Sequence, residues 1–187
     1  MREEQIPLLV NAAHAYAGKP MDLVAVDAAH PDILLCRAAQ QALNGLLAAI
    51  GGVGKILPVS GYRPRSEQEA IYAASLRENG REFTRKYVAL PGHSEHETGM
   101  AIDLGENKLP IDFIRPAFPD GGICGQFKAR AAEFGFILRY PADKEAVTGI
   151  AHEPWHFRYV GPEHAQAMAR EGLTLEEYVA RLLKTAR

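Results

Sequence analysis

Cysteine is scarce in this chain, with Cys36 and Cys124 the only two among 187 residues. A fold held together by a disulfide framework is therefore excluded. An excess of either charge is also missing: 21 Lys and Arg face 23 Asp and Glu, for a formal net charge of −2. With both signs mixed along the chain and no basic cluster, nothing recruits nucleic acid or an anionic membrane. No stretch approaches the ~20 apolar residues that span a bilayer. The start, Met1-Arg2-Glu3-Glu4-Gln5, carries acids and leads into no apolar run with a small-residue cleavage site. That argues against a secretory signal and for a cytosolic protein. Internal repeats and low-complexity linkers are absent as well. Apolar residues make up 47% and charged residues 24%, so a packed core is expected, in a single domain over residues 1–187.

Short elements of both kinds follow one another. Leu8-Leu9-Val10-Asn11 reads as an opening strand, and Ile33 to Ile50 as a helix stopped by Gly51-Gly52. Ile56 to Val59 is a β run leading into Ser60-Gly61-Tyr62-Arg63-Pro64. Ser66 with Glu69 has the capping-box offset and opens a helix to about Glu78, closed by Asn79-Gly80. Met100 to Leu104 reads as a buried strand. Gly105 to Gly125 is a long loop rich in Pro, Gly and Asp, of the kind that rims a pocket. Gln126 to Phe134 is helical and Phe136 to Tyr140 a strand. Val147 to Ala151 and His156 to Val160 are further β runs. Pro162 starts a helix near its first turn, and Thr174 with Glu177 forms a second capping box. Without a βαβ rhythm, these elements predict an α+β fold with a mainly antiparallel sheet. Cys36 falls within the apolar helical pattern as a small core residue, and Cys124 in the long loop is expected to be a bystander thiol.

Two segments carry chemistry. Ser94-Glu95-His96-Glu97-Thr98-Gly99-Met100-Ala101-Ile102-Asp103 is answered fifty residues later by Glu153-Pro154-Trp155-His156. Two imidazoles and a carboxylate are the ligand set of a hydrolytic zinc site, and a further carboxylate beside the last ligand can take a proton from water. His96 and Asp103 would point to opposite faces of one uninterrupted strand, but Thr98-Gly99 supplies a bend. Asp103 lies in an apolar run, where a carboxylate is costly unless paired or bound to a cation. Pro154 argues against a helix and puts Glu153 on a loop. Each residue alone would read as a salt-bridged acid or a hydrogen-bonded histidine; the combined pattern reads as a metal site. His14, His30 and His164 are expected on the surface. His93 and His152 neighbour the motifs as partners or, more simply, as solvent-exposed groups.

The elements Ser60-Gly61-Tyr62-Arg63, Ser94-x-His96-x-x-Gly99-x-Ala101-x-Asp103 and Glu153-x-x-His156 resemble those of the zinc D-alanyl-D-alanine peptidases. That family includes VanX dipeptidases, VanY carboxypeptidases and bifunctional VanXY enzymes, and the likeness to VanY and VanXY runs from about Leu8 to about Tyr178. It implies the hedgehog/D-alanyl-peptidase type of fold, an antiparallel sheet packed with helices. It also implies one Zn2+ per chain on His96, Asp103 and His156, with Glu153 as general base and acid. Arg63 would sit near the scissile carbonyl, Ser94 at the substrate's terminal carboxylate, Gln68 near the site and Trp155 in the pocket wall. For each of these last four a plainer reading stands alongside: an ion pair, a turn cap, a solvent-facing helical residue and a core residue. The implied substrates are the D-Ala-D-Ala dipeptide and the muramyl pentapeptide precursor, with D-alanine released and glycopeptide resistance as the physiological role. The alternatives are an L,D-carboxypeptidase acting on the tetrapeptide stem and a non-catalytic peptide- or metal-binding module of the same fold.

Overall fold

The computed structural model describes residues 6–20 and 22–185; the acidic start over residues 1–5 lies outside them. A two-stranded ribbon comes first, β1 (Leu23–Ala25) against β2 (Leu34–Cys36), followed directly by helix α1 (Arg37–Ala49). The main sheet has four antiparallel strands in the order β3 (Ile56–Ser60), β4 (Ala101–Glu106), β6 (Glu153–Tyr159) and β5 (Phe136–Tyr140). The expected α+β class with an antiparallel sheet is what the chain forms.

Strand alternation divides the sheet into two faces. Ile102 and Leu104 of β4, Phe157 of β6 and Phe136 of β5 enter the larger core, under Leu43 and Leu46 of α1. There Phe118, Phe127 and Phe157 meet edge-on, with ring centroids 4.8 to 5.5 Å apart, a favourable aromatic arrangement. The residues between them, Asp103, His156 and Arg158, occupy the opposite face. A smaller core of Ile137, Ala165, Met168, Leu175, Tyr178 and Val179 seats helices α5 (Pro162–Glu171) and α6 (Leu175–Thr185). No helix among the described residues is long and apolar enough to cross a membrane.

Several local expectations need correction. Leu8–Asn11 is not a strand: only Asn11 makes an isolated bridge, to His14. The Leu8 carbonyl accepts a hydrogen bond from Arg158 Nη2 instead of a ladder bond. Ile33–Ile50 is not one helix, because Leu34–Cys36 pairs with β1 first, leaving Cys36 at the helix N-cap. Helix α2 runs Arg65–Tyr87, capped by Pro64 and not Ser66. Gly80 breaks it at φ 77, ψ 172, backbone space open to glycine. The break is tied by Thr84 Oγ1, which donates to the Gly80 carbonyl and meets Ser75 Oγ at 2.8 Å.

The long loop is shorter than expected. It ends at helix α3 (Gly122–Arg130), which continues as a 3₁₀ turn, Ala131–Phe134. Cys124 is therefore helical and fully buried in the large core, where burial pushes its thiol up to about 11. The run Val147–Ala151 is not a strand, since Glu145–Thr148 forms the single helical turn α4.

The box at the start of α6 forms as anticipated: Thr174 N–H donates to Glu177 Oε2 at 2.8 Å, and Glu177 N–H to Thr174 Oγ1 at 3.3 Å. Thr174→Ala is expected to lower stability by about 1 kcal/mol, the usual cost of losing such a cap. Chemical denaturation checks this; an unchanged midpoint would contradict it.

Candidate metal centre

The site is built where β4 and β6 run side by side. Their register sets Asp103 directly opposite His156, and a bulge at Pro58/Ser60 of β3 puts Ser60 beside Asp103. His96 arrives from the 3₁₀ turn Glu95–Thr98, which precedes β4 and ends on Gly99 at φ 70. A Cβ on Gly99 would come within 2.7 Å of Leu23 Cδ2, so this close turn needs glycine. The bend expected at Thr98-Gly99 thus brings His96 back over Asp103.

His96, Asp103 and His156 each offer a ligand atom, and these all lie within 4.8 Å of one another. Asp103 bridges the rings, with Oδ2 at 3.3 Å from His96 Nε2 and Oδ1 at 2.8 Å from His156 Nδ1. His96 Nδ1 lies 2.6 Å from the Gly61 carbonyl. A carbonyl can only accept, so that nitrogen carries the proton and Nε2 keeps its lone pair toward Asp103. Gly61 is itself fixed from below, because a Cβ there would meet the Leu34 carbonyl at 2.3 Å. His96 therefore presents Nε2, while His156 turns Nδ1 to the cluster, where it donates to Asp103 Oδ1 and would yield that proton to a cation; with one carboxylate the two imidazoles make a nitrogen–oxygen donor set suited to zinc.

Glu153 is the first residue of β6, not part of a loop as Pro154 had suggested. Its Oε2 lies 3.9 Å from His156 Nδ1. Burial pushes its carboxyl up to about 7, a shift that Asp103 assists and the His156 charge opposes. A carboxyl poised there can accept and return a proton near neutrality. Asp103 behaves oppositely. Burial would raise its pKa, but the charges and hydrogen bonds of His96 and His156 outweigh burial and keep it ionised, far below the usual range.

Arg63 reaches the same cavity, which has a volume of about 390 Å³. Its Nη1 donates to Gln68 Oε1 and its Nη2 to Ser60 Oγ, each at 2.9 Å. Gln68 is not solvent-facing: it is 1% exposed and donates through Nε2 to the Ala89 carbonyl. Ser94 is buried, lines the cavity and makes no side-chain cap on the turn it precedes. Trp155 both lines the cavity and packs against the large core. The loop between β4 and α3 contributes Phe113, Ile114 and Arg115 to the rim, the position expected of it.

The neighbouring histidines stay outside the cluster. His93 Nδ1 meets the Asn11 carbonyl at 2.7 Å and His152 Nδ1 the Tyr140 carbonyl at 2.8 Å. Of the histidines expected on the surface, His14 is exposed, while His30 and His164 are half-buried, the one against the Asp27 carboxylate and the other against the Tyr178 hydroxyl.

One residue escaped the sequence reading. Glu95, 2% exposed, takes Arg139 Nε at 2.8 Å and Arg158 Nη1 at 3.0 Å on Oε1, while Oε2 faces His156 Nε2 at 3.5 Å. The signal was available in Arg139 and Arg158, two arginines inside apolar strands that demand buried acids.

Fold and site together fit a metal-dependent hydrolase, with an acid and a guanidinium lining the cavity that holds the His96, Asp103 and His156 cluster. Residues 32–162 match the VanY family model, described as D-alanyl-D-alanine carboxypeptidase. The chain is 42% identical over 182 residues to the bifunctional D-Ala-D-Ala dipeptidase and D-Ala-D-Ala carboxypeptidase VanXYC of Enterococcus gallinarum, covering 96% of each. Among solved structures, the vancomycin resistance D,D-dipeptidase VanXYg in complex with a D-Ala-D-Ala phosphinate analog aligns with a TM-score of 0.90 at 52% identity. That match covers 92% of this chain and 69% of the other. A mutant of the D,D-pentapeptidase VanY from a VanB-type cassette, in complex with Zn(II), aligns with a TM-score of 0.78 at 29% identity, covering 92% and 97%. The chain belongs to the VanY D-alanyl-D-alanine carboxypeptidase family.

Metal retention tests the cluster directly. Asp103→Ala is expected to lose the zinc that the unmodified protein holds through gel filtration, and Glu153→Ala to keep it, as read by elemental analysis. Equal retention by both would contradict the assignment.

Proposed function

We propose that this protein is a zinc-dependent peptidase that hydrolyses the terminal D-Ala-D-Ala bond of peptidoglycan precursors and releases D-alanine. The single observation that carries this is the convergence of His96, Asp103 and His156 with Glu153 and Arg63 around one cavity, in a chain of this family. One zinc ion per chain would be held by His Nε2, carboxylate and His Nδ1. When bound it supplies Lewis acidity and lowers the pKa of a coordinated water to about 7.

The chain's own groups do the rest. Glu153 accepts a proton from the attacking water, whose oxygen adds to the scissile carbonyl carbon. Arg63 faces the oxygen of that carbonyl and stabilises the negative charge that gathers there. Ser60 and Gln68 hold the guanidinium from two sides, so its orientation is set before substrate arrives. Glu153 then hands its proton to the departing amine as the C–N bond breaks, leaving free D-alanine and a shortened peptide. Ser94 would meet the substrate's terminal carboxylate and Trp155 would wall the pocket, a reading supported by both lining the cavity.

Acting in the cytoplasm, such an enzyme would remove free dipeptide and soluble muramyl pentapeptide. Glycopeptides that bind D-Ala-D-Ala would lose their target, which is the basis for proposing a role in resistance.

Glu153→Ala is expected to lower D-alanine release by about 10²–10⁴-fold, the usual contribution of general acid–base catalysis. Arg63→Ala is expected to lower kcat by about 10²–10³-fold, as for loss of one oxyanion donor. Release assays on the dipeptide, the pentapeptide and the tetrapeptide check both, and turnover of the tetrapeptide alone would favour L,D-specificity instead. Full activity of the Glu153 variant would falsify the assignment of the base.

The pH profile carries a sign. Glu153 works unprotonated, so kcat/KM should fall as pH drops through its pKa. A nearby cation can only lower that value from about 7, since positive charge favours the carboxylate. The half-maximal point of the acid limb is therefore expected at or somewhat below about 7, and it should vanish from the residual rate of the Glu153→Ala variant.

A further inference from the structure

The buried acid beside the cluster has a role that its ion pairs alone do not explain. Glu95, Arg139 and Arg158 have almost no solvent contact. Arg139 is held at its far end by Glu176 of α6, whose oxygens take Nη1 at 2.9 Å and Nη2 at 2.5 Å. Two arginines thus face two acids, and the cluster is balanced in charge. Both arginines that touch Glu95 converge on the same oxygen, Oε1. The other, Oε2, faces His156 Nε2 at 3.5 Å, beyond a formed hydrogen bond, and neither atom has a hydrogen bond to any described residue, so each is the one partner placed to satisfy the other. A carboxylate pinned in this way can only accept from the ring.

We infer that Glu95 is a positioning residue for the metal ligand His156: by offering only an acceptor to Nε2, it keeps a proton there and leaves the Nδ1 lone pair to the cation. The inference rests on the metal-site reading above. Neighbours that hold the far nitrogen of a ligating histidine set its tautomer and ring orientation, and losing one costs about 10–100-fold in metal affinity. Here the arginines decide which oxygen is free, since both meet Oε1. Arg139 is fixed by Glu176, and Arg158 by the Leu8 and Tyr159 carbonyls, to which its Nη2 and Nε donate. Neither guanidinium can turn away without losing those partners.

That arrangement makes Glu95→Gln a sharp probe. Arginines can only donate, so they claim the amide oxygen, and the amide NH2 is turned toward His156 Nε2. The ring must then accept at Nε2 and carry its proton on Nδ1, the atom that should face the metal. Glu95→Asp keeps the charge for the arginines but draws the carboxylate back by one methylene. It is expected to fold and to weaken zinc in the same direction by a smaller factor.

The experiment measures zinc affinity by chelator competition in the full chain, with the thermal stability of the metal-free protein and the 15N resonances of His156 recorded alongside. For Glu95→Gln the expected result is zinc binding weaker by about 10–100-fold, with Nε2 changing from proton-bearing to proton-free. A folded variant with unchanged zinc affinity and a retained Nε2 proton overturns the inference, even if its stability has fallen, since that is what a purely structural ion pair would do. Should Glu95→Gln fail to fold, Glu95→Asp decides, and wild-type affinity there overturns it equally. If the unmodified protein itself takes up no zinc, the metal-site reading is what fails, and the inference falls with it.

Discussion

Asp103 and His156 face one another across the β4–β6 ladder, and nearly everything in the site follows from that pairing. A strand pair shifted by one residue would turn each side chain to the other face of the sheet, putting an acid and an imidazole into the phenylalanine core. The apolar alternation guards against this. Ile102, Leu104 and Phe157 hold one face in the large core, so the residues between them have to gather on the other. Hydrophobic burial thereby sets the geometry of a polar site with which it shares no atoms.

The cost falls on the polar side. A buried carboxylate between two imidazoles loses its hydration, and interactions that replace water must be close and well directed to offset a penalty of several kcal/mol per ion. Two devices supply them. His96 is tied through Nδ1 to the Gly61 carbonyl and His156 through Nδ1 to Asp103, with Glu95 facing its other nitrogen at 3.5 Å. Glu95 is in turn neutralised by arginines that reach it from β5 and β6, and one of these runs on to α6. The last helix is therefore linked toward His156 through the Glu176–Arg139 and Arg139–Glu95 ion pairs, although it contributes nothing to the cavity lining.

The site was more legible in the sequence than the elements that carry it. His96, Asp103, Glu153 and His156 stand out because ionisable groups sit in or beside apolar runs, where chance seldom leaves them. The capping box at Thr174 was equally plain, being a local pattern with local hydrogen bonds. Errors came where tertiary pairing overrode local pattern. Leu34–Cys36 continues the apolar spacing of α1 and cannot be told from helix by period alone, yet it pairs with Leu23–Ala25. Val147 and Thr148 favour strand by propensity, but no partner strand is at hand and a single helical turn forms. Pro154 argued against a helix and so put Glu153 on a loop; the bulge opposite, between Leu138 and Tyr140, admits a strand instead. Nothing in the local run Ser94, His96 and Glu97 marks Glu95 as buried, and only the folded positions of Arg139 and Arg158 enclose it.

Side chains from the 3₁₀ turn, β4 and β6 are proposed to share one cation through two nitrogens and an oxygen. X-ray absorption at the zinc edge of the metal-loaded protein tests it without reference to turnover. The expected spectrum has a first shell of nitrogen and oxygen at about 2.0–2.2 Å with multiple-scattering features of two imidazoles. A sulfur neighbour at about 2.3 Å, which would bring Cys36 or Cys124 into the shell, or a shell with no imidazole pair, would contradict it.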